Sequence, residues 1–156
     1  QDKAAKFIKQ LSEVYRYVLD SRDKEVVPLE EEKKFLLSYM FLQKIRFGDK
    51  LRLDLNVAGS GGLVAPLVLQ MLVENAIKHN VISEEHPLII KTYVEDGFIV
   101  VENRIRKKSV IGSESQGIGL ENIIRRYEFL SDHKVEVMEG DTFRVKLPII
   151  PDYQAT

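Results

Sequence analysis

A chain of 156 residues with 44% hydrophobic content can bury one substantial core, and no Pro, Gly or Ser-rich linker divides it into comparable halves. Its 23 basic and 24 acidic residues are mixed along the sequence, so nothing argues for nucleic acid or an anionic membrane as a partner, and the one basic run, Arg104 to Lys108, is local. The absence of cysteine excludes disulfides, thiolate metal sites and a cysteine nucleophile and fits a reducing cytosol, and no apolar run approaches the roughly 20 residues needed to span a bilayer.

From Ala4, the apolar residues Ala4, Phe7, Leu11, Val14 and Val18 alternate spacings of three and four. This short heptad seam, widened by Ile8, Tyr15 and Leu19, predicts a helix that needs a partner along its length. A second helix is well punctuated: Pro28 stands at its start, Glu30, Glu31 and Glu32 suit the positive end of its dipole, and Lys44, Arg46 and Gly48 close it. Leu51, Leu53, Leu55 and Val57 alternate with Arg52, Asp54 and Asn56, the pattern of a half-buried strand. The following Gly59-Ser60-Gly61-Gly62 fails as a dinucleotide fingerprint, because the third glycine would fall at Val64, and it reads as a flexible connection.

A third helix, with Leu67, Val68, Leu69, Leu72 and Val73, leads into Glu74-Asn75-Ala76-Ile77-Lys78-His79-Asn80. Segments 88–95 and 98–105 read as strands joined at Asp96-Gly97, a dipeptide suited to a type I′ hairpin. Residues 106–116 look like a mobile loop. Gly117-Ile118-Gly119 then enters a helix whose face is Leu120, Ile123, Ile124 and Tyr127, and a last hairpin runs from Val135 through Gly140 to Pro148. This order predicts an α+β domain with helices layered on one face of a mixed sheet.

The chemistry concentrates in the third helix. Glu74, Asn75, Lys78 and His79 share one half of its circumference, and desolvating four such groups is costly unless they serve one another or a polar ligand. A solvated helix edge would also explain them. As a ligand site, Asn75 offers an oxygen to a magnesium ion that takes its other ligands from phosphates and water, Glu74 can polarise one of those waters, and Lys78 and His79 can reach phosphate oxygens. The Gly117-Ile118-Gly119 helix start, whose first N–H groups lack intrahelical partners, would close the other side; alone it is weak, since many helices follow glycines.

The run Leu69 to His79 resembles the N box of LytS-type sensor histidine kinases, within the superfamily that includes gyrase and mismatch-repair ATPases. Gly117-Ile118-Gly119-Leu120-Glu121-Asn122, followed by Arg126, is similar to the glycine box, and Leu11 to Tyr17 and Gln43 to Phe47 also resemble this class, so the likeness covers nearly the whole chain. The resemblance implies a two-layer α/β sandwich of the Bergerat ATP-binding type with an N-terminal helical extension. Residues 1–24 would be the second helix of a dimerisation element and 25–156 the catalytic domain. It further implies ATP and Mg2+ as cofactors, Glu74 and Asn75 as catalytic residues with Asn75 on the metal, and a lid over about 104–116. Lys78, His79, Asn103, Gly117, Gly119 and Leu120 would bind the nucleotide. A second copy and a response regulator are the implied partners, and the implied setting is the cytoplasmic part of a membrane-anchored bacterial sensor.

Two departures stand out. The family's acceptor histidine lies ahead of the region matching Leu11 to Tyr17, and His79, His86 and His133 are poor substitutes, so the chain, which opens Gln1-Asp2-Lys3, is expected to be a piece of something longer. The adenine-binding box is also altered: strand alternation through Ile99 and Val101 puts Asn103 where an aspartate is usual, with Glu102 as the fallback, and Arg104 and Ile105 follow instead of glycine. Two rivals remain open at this stage, an ATPase of the same superfamily that drives a conformational cycle and a degenerate, nucleotide-independent dimerisation module.

Overall fold

The computed structural model describes residues 2–57, 59–108 and 116–153, with 116–118 described by their backbone only. The chain opens with helix α1 (Asp2–Ser21), strand β1 (Val27–Pro28) and helix α2 (Leu29–Phe47). Pro28 precedes α2, and Gly48, at φ +59°, ends it by donating its N–H to the Lys44 carbonyl, a conformation that a side chain would resist. Strand β2 (Leu51–Asn56) follows, then β3 (Leu63–Val64) and helix α3 (Val68–His79). Strands β4 (Leu88–Glu95) and β5 (Phe98–Arg104) form the expected hairpin; Asp96 and Gly97 both have positive φ, as a type I′ turn requires. Helix α4 (Gln116–Leu130) and the hairpin β6 (Glu136–Glu139) and β7 (Thr142–Pro148) complete the order.

The five-stranded sheet runs β2-β4-β5-β7-β6, with β2 and β4 parallel and the other neighbours antiparallel. Ile99, Val101 and Asn103 point to the inner face of β5, where Val68, Leu69, Leu72, Val73, Ala76 and Ile77 of α3, and Ile123 and Tyr127 of α4, close the core. This is the two-layer α/β architecture expected from the element order.

The reading of Gly59 to Gly62 as a flexible connection is corrected. Leu63 and Val64 pair with Pro28 and Val27 in a second, two-stranded sheet, and Leu63 exchanges both backbone hydrogen bonds with Ile150. Gly62 lies at φ +103°, its carbonyl accepts from Leu29 N–H at 2.9 Å, and a Cβ there would sit 2.3 Å from the Ile149 side chain. The glycine is required by packing. Strands of two residues have no periodicity to detect, which is why they were not anticipated.

Helix α1 folds back on α2. Tyr17 stacks on Phe35 with ring centroids 4.6 Å apart, and the Lys6 ammonium lies 4.9 Å from the Phe41 ring centroid. The heptad seam is nevertheless left open: Phe7, Ile8, Leu11, Val18 and Leu19 stay exposed. Of the loop expected over 106–116, residues 109–115 lie outside the described residues. Among the described residues no helix is long and apolar enough to cross a membrane.

Candidate functional site

A cleft of about 310 Å³ opens between α3, the end of β5, the start of α4 and the β6–β7 hairpin. Asn75 and His79 line it from one stripe of α3, joined by Ala76 and Asn80; Asn103 and Ile105 come from the end of β5, Leu120 from α4, and Val137, Glu139 and Phe143 from the hairpin. The lining thus offers apolar side chains able to cover a flat heterocycle and polar ones able to contact its edge and its phosphates.

The four polar residues of α3 are divided between two clefts. Successive residues are rotated by about 100°, so Glu74 and Lys78 form the stripe next to that of Asn75 and His79. That stripe faces α2 across a separate cleft of about 390 Å³, with Tyr39, Arg46 and Lys108. There Gln70 Nε2 donates to Glu74, and burial together with the Glu74 charge pushes the Tyr39 hydroxyl up to about 12. Lys108 donates its backbone N–H to the His79 carbonyl at 3.2 Å. His79 is held below the ordinary histidine range, first by burial and then by the Lys78 and Lys108 charges, so its ring is neutral at pH 7 and can accept as well as donate a hydrogen bond.

Asn103 is only 5% exposed and its Nδ2 donates to the Arg104 carbonyl at 3.0 Å. Glu102, the fallback for reading a base, is placed elsewhere: strand alternation turns it to the outer face of the sheet, where its Oε2 accepts from Arg144 Nε at 2.7 Å. Gly117 and Gly119 lie within the first turn of α4 rather than ahead of it, since the helix begins at Gln116. A Cβ at Gly119 would meet nothing within 4 Å among the described residues, none of which demands a glycine there.

Asn80, not anticipated as a site residue, fastens the cleft. It is buried, donates Nδ2 to the Ala76 carbonyl at 2.9 Å and accepts the Arg106 N–H on Oδ1 at 2.9 Å. With the bridge between Asn80 and Lys107, this ties the end of α3 to the segment leaving β5. The only sequence signal was its position, an asparagine directly after the last helical residue. Val137 and Phe143 gave none, because a wall supplied by a distant hairpin leaves no local pattern. Lys107 also lines the cleft and pairs with Glu139 at 2.9 Å, but both side chains are more than half exposed, so that pair contributes little.

The donor set bears on magnesium. Among the described residues no group of three or more His, Asp or Glu side chains is placed to hold a metal. A magnesium ion here would have the Asn75 amide oxygen from the protein and its other ligands from phosphate oxygens and water, which fits an ion that arrives with a nucleotide.

Residues 1–51 match the family model described as histidine kinase. The sensor protein LytS of Staphylococcus saprophyticus is 28% identical over 153 residues, covering 87% of this chain and 26% of that protein. LytS of Enterococcus faecalis is 29% identical over 142 residues, covering 80% of this chain and 24% of the relative. The chain therefore spans about a quarter of the length of these curated relatives. Among solved structures, the cytoplasmic segment of histidine kinase QseC matches with a TM-score of 0.54 at 18% identity, over 97% of this chain and 95% of that one. The Acinetobacter baumannii histidine kinase AdeS matches with a TM-score of 0.52 at 13% identity, over 91% and 76%. In sequence the chain is similar to LytS sensor proteins, with a histidine kinase family model matching its first 51 residues, and its fold is the one seen in the histidine kinase structures of QseC and AdeS.

Proposed function

We propose that this chain is the ATP-binding catalytic part of a two-component sensor kinase and that it passes the γ-phosphoryl group of ATP to a histidine outside these 156 residues. The observation that carries the reading is the cleft itself, in which the Asn75 and His79 stripe of α3, the Asn103 end of β5 and the start of α4 converge. In this reading Ile105, Leu120, Val137 and Phe143 cover the base and Asn103 meets its edge. Asn75 supplies an oxygen to the phosphate-bound magnesium, and neutral His79 hydrogen-bonds a phosphate oxygen. Bound magnesium would neutralise charge on the phosphates; the protein's part is positioning and exclusion of water. Glu74 and Lys78, across the crest of α3, reach only phosphates that extend toward the α2 side.

In this reading none of the three histidines is the acceptor. His79 is a wall of the cleft, His86 sits in a turn closed by the Ser83 hydroxyl, and His133 packs edge-on to Phe98. Residues 1–24, with α1 and its exposed seam, are proposed as part of the dimerisation element, with residues 25–156 as the catalytic domain and a response regulator as the downstream partner. Calorimetric titration with ATP, with and without magnesium, tests the proposal: saturable, magnesium-dependent binding is expected, and the absence of binding heat in magnesium at several temperatures overturns it.

A further inference from the structure

Glu32, expected to serve the dipole of its own helix, is 1% exposed, whereas its neighbours Glu30 and Glu31 are exposed. Its Oε2 accepts the Tyr17 hydroxyl of α1 at 2.6 Å, while Oε1 has no hydrogen-bond partner among the described residues. Burying a carboxylate is unfavourable unless charge or dipoles compensate. Here the compensation comes from α3. Burial raises the Glu32 carboxyl above its ordinary range, and the Tyr17 hydroxyl and the amides of Leu67, Leu69 and Val68 act in the opposite direction. Those amides are the start of α3, which has no side-chain cap of its own: its N-cap, Leu67, adopts the left-handed conformation at φ +65°. The Glu32 carboxyl group, brought in from α2, thus lies near the uncapped start of α3, which makes no side-chain cap hydrogen bond to it.

The segment just ahead of α3 is held from the other side by α4. The Tyr127 hydroxyl accepts the Ala65 N–H at 3.0 Å, and Arg126 Nη1 donates to the Pro66 carbonyl at 3.1 Å. α2 and α4 thus both pack at the entry to α3, and among the described residues the side-chain hydrogen bond that α1 gives to this region is the one from Tyr17 to Glu32 of α2. Asn75 lies about 10 Å along the helix from Val68, and the intervening turns are packed in the core, so a displacement of the first turn is carried to Asn75 and His79.

We propose that Tyr17 and Glu32 are positioning residues, through which the placement of α1 against α2 sets the register of α3 and hence the placement of Asn75 and His79 in the cleft. The proposal rests on the nucleotide reading of that cleft only where it concerns affinity. A merely structural role for Glu32 would lower stability and leave the cleft groups of the folded protein in place.

The test uses the whole 15N-labelled chain as Tyr17→Phe, Glu32→Gln and the double variant. Tyr17→Phe removes one oxygen at a half-buried position and keeps the ring stacked on Phe35, so it remains informative if substitution of Glu32 prevents folding. Without nucleotide, Tyr17→Phe is expected to speed hydrogen exchange at Leu67, Val68 and Leu69 and to shift the Asn75 side-chain amide and His79 imidazole resonances in a molecule that still unfolds cooperatively. The double variant should shift them no further than Glu32→Gln does. Asn75 and His79 resonances that stay in place, or shifts from the two substitutions that simply add, overturn the proposal. With MgATP, Tyr17→Phe should weaken binding by about threefold to tenfold, the range expected when one member of a coupled network is removed. The resonance measurement contains no nucleotide, so its result stands whether or not the parent chain binds MgATP.

Discussion

Replacing Asn103 by Asp tests the base-reading assignment and sets two effects of opposite sign against each other. In the folded chain Asn103 is 5% exposed and gives its Nδ2 to the Arg104 carbonyl at 3.0 Å. Asn103→Asp removes that donor and places two acceptors against a carbonyl oxygen, a loss of about 1–3 kcal/mol in stability for an unsatisfied buried group. The new carboxyl sheds part of that loss by staying protonated, so its folded-state pKa lies above the unfolded value of about 3.9. More protons are then bound in the native state, and the variant is closest to its parent below about pH 4 and falls away as pH rises through the folded pKa. A base that donates an amino hydrogen reverses the balance, because a carboxylate accepts more strongly than an amide: ATP affinity should rise about fivefold, on the order of 1 kcal/mol. GTP should not share the gain, since a carboxylate cannot donate to the guanine carbonyl oxygen. Urea unfolding at acidic and neutral pH, with calorimetry against MgATP and MgGTP, measures both effects. Unchanged ATP and GTP affinities together with the expected loss of stability would show that Asn103 does not face the base.

Asn75→Ala should leave unfolding unchanged to within about 0.5 kcal/mol at this half-buried position and abolish the magnesium dependence of nucleotide binding, as read by titration with and without EDTA. Because His79 is held below its ordinary range, the unfolded chain binds the extra proton first, so this residue's contribution to stability is intact above about pH 6.5 and declines as pH falls through that value toward the folded pKa; His79→Gln should flatten that part of the stability profile. Incubation with γ-labelled ATP should leave the chain unlabelled, and acid-labile label on His79, His86 or His133 would contradict their assigned places. Leu11, 44% exposed on the open seam of α1, should mediate weak self-association, so that Leu11→Glu sediments as a monomer at concentrations where the parent forms dimers; monomers in both cases would remove α1 as a dimer surface.

What could be read from residue order alone followed the range of the forces involved. The β4–β5 hairpin was legible because Asp96-Gly97 carries its own backbone requirement, and both residues take it. The ends of α2 were legible because Pro28, Lys44 and Gly48 act within a turn of where they stand. On α3 the pattern fixed angles but not neighbours. It grouped Glu74, Asn75, Lys78 and His79 on one half of the helix as a single site, and only the packing of α2 on one side and of Val137 and Phe143 on the other shows that Glu74 and Lys78 face a different cleft from Asn75 and His79. Asn103 and Glu102 show the same division: alternation correctly separated their faces, while the partner that occupies Glu102 is an arginine from β7.

Glu32 marks the sharper limit. Three consecutive glutamates at the start of a helix are each expected to favour that helix's positive end, and the argument is local, so it cannot distinguish them. Packing does distinguish them, because of the three only Glu32 is buried, near the start of another helix that lacks a side-chain cap. Whether a carboxylate serves its own helix or a neighbour's is decided by which unpaired amides it can reach after folding. The sequence positions of Leu67, Val68 and Leu69 give no hint that their amides act on Glu32, and the part-buried Tyr17–Glu32 bond ties α1 to α2 beside them. A helix read from its seam alone as a dimer surface is therefore also joined, through one hydroxyl and one carboxyl group, to α2, which packs against the helix that carries Asn75 and His79.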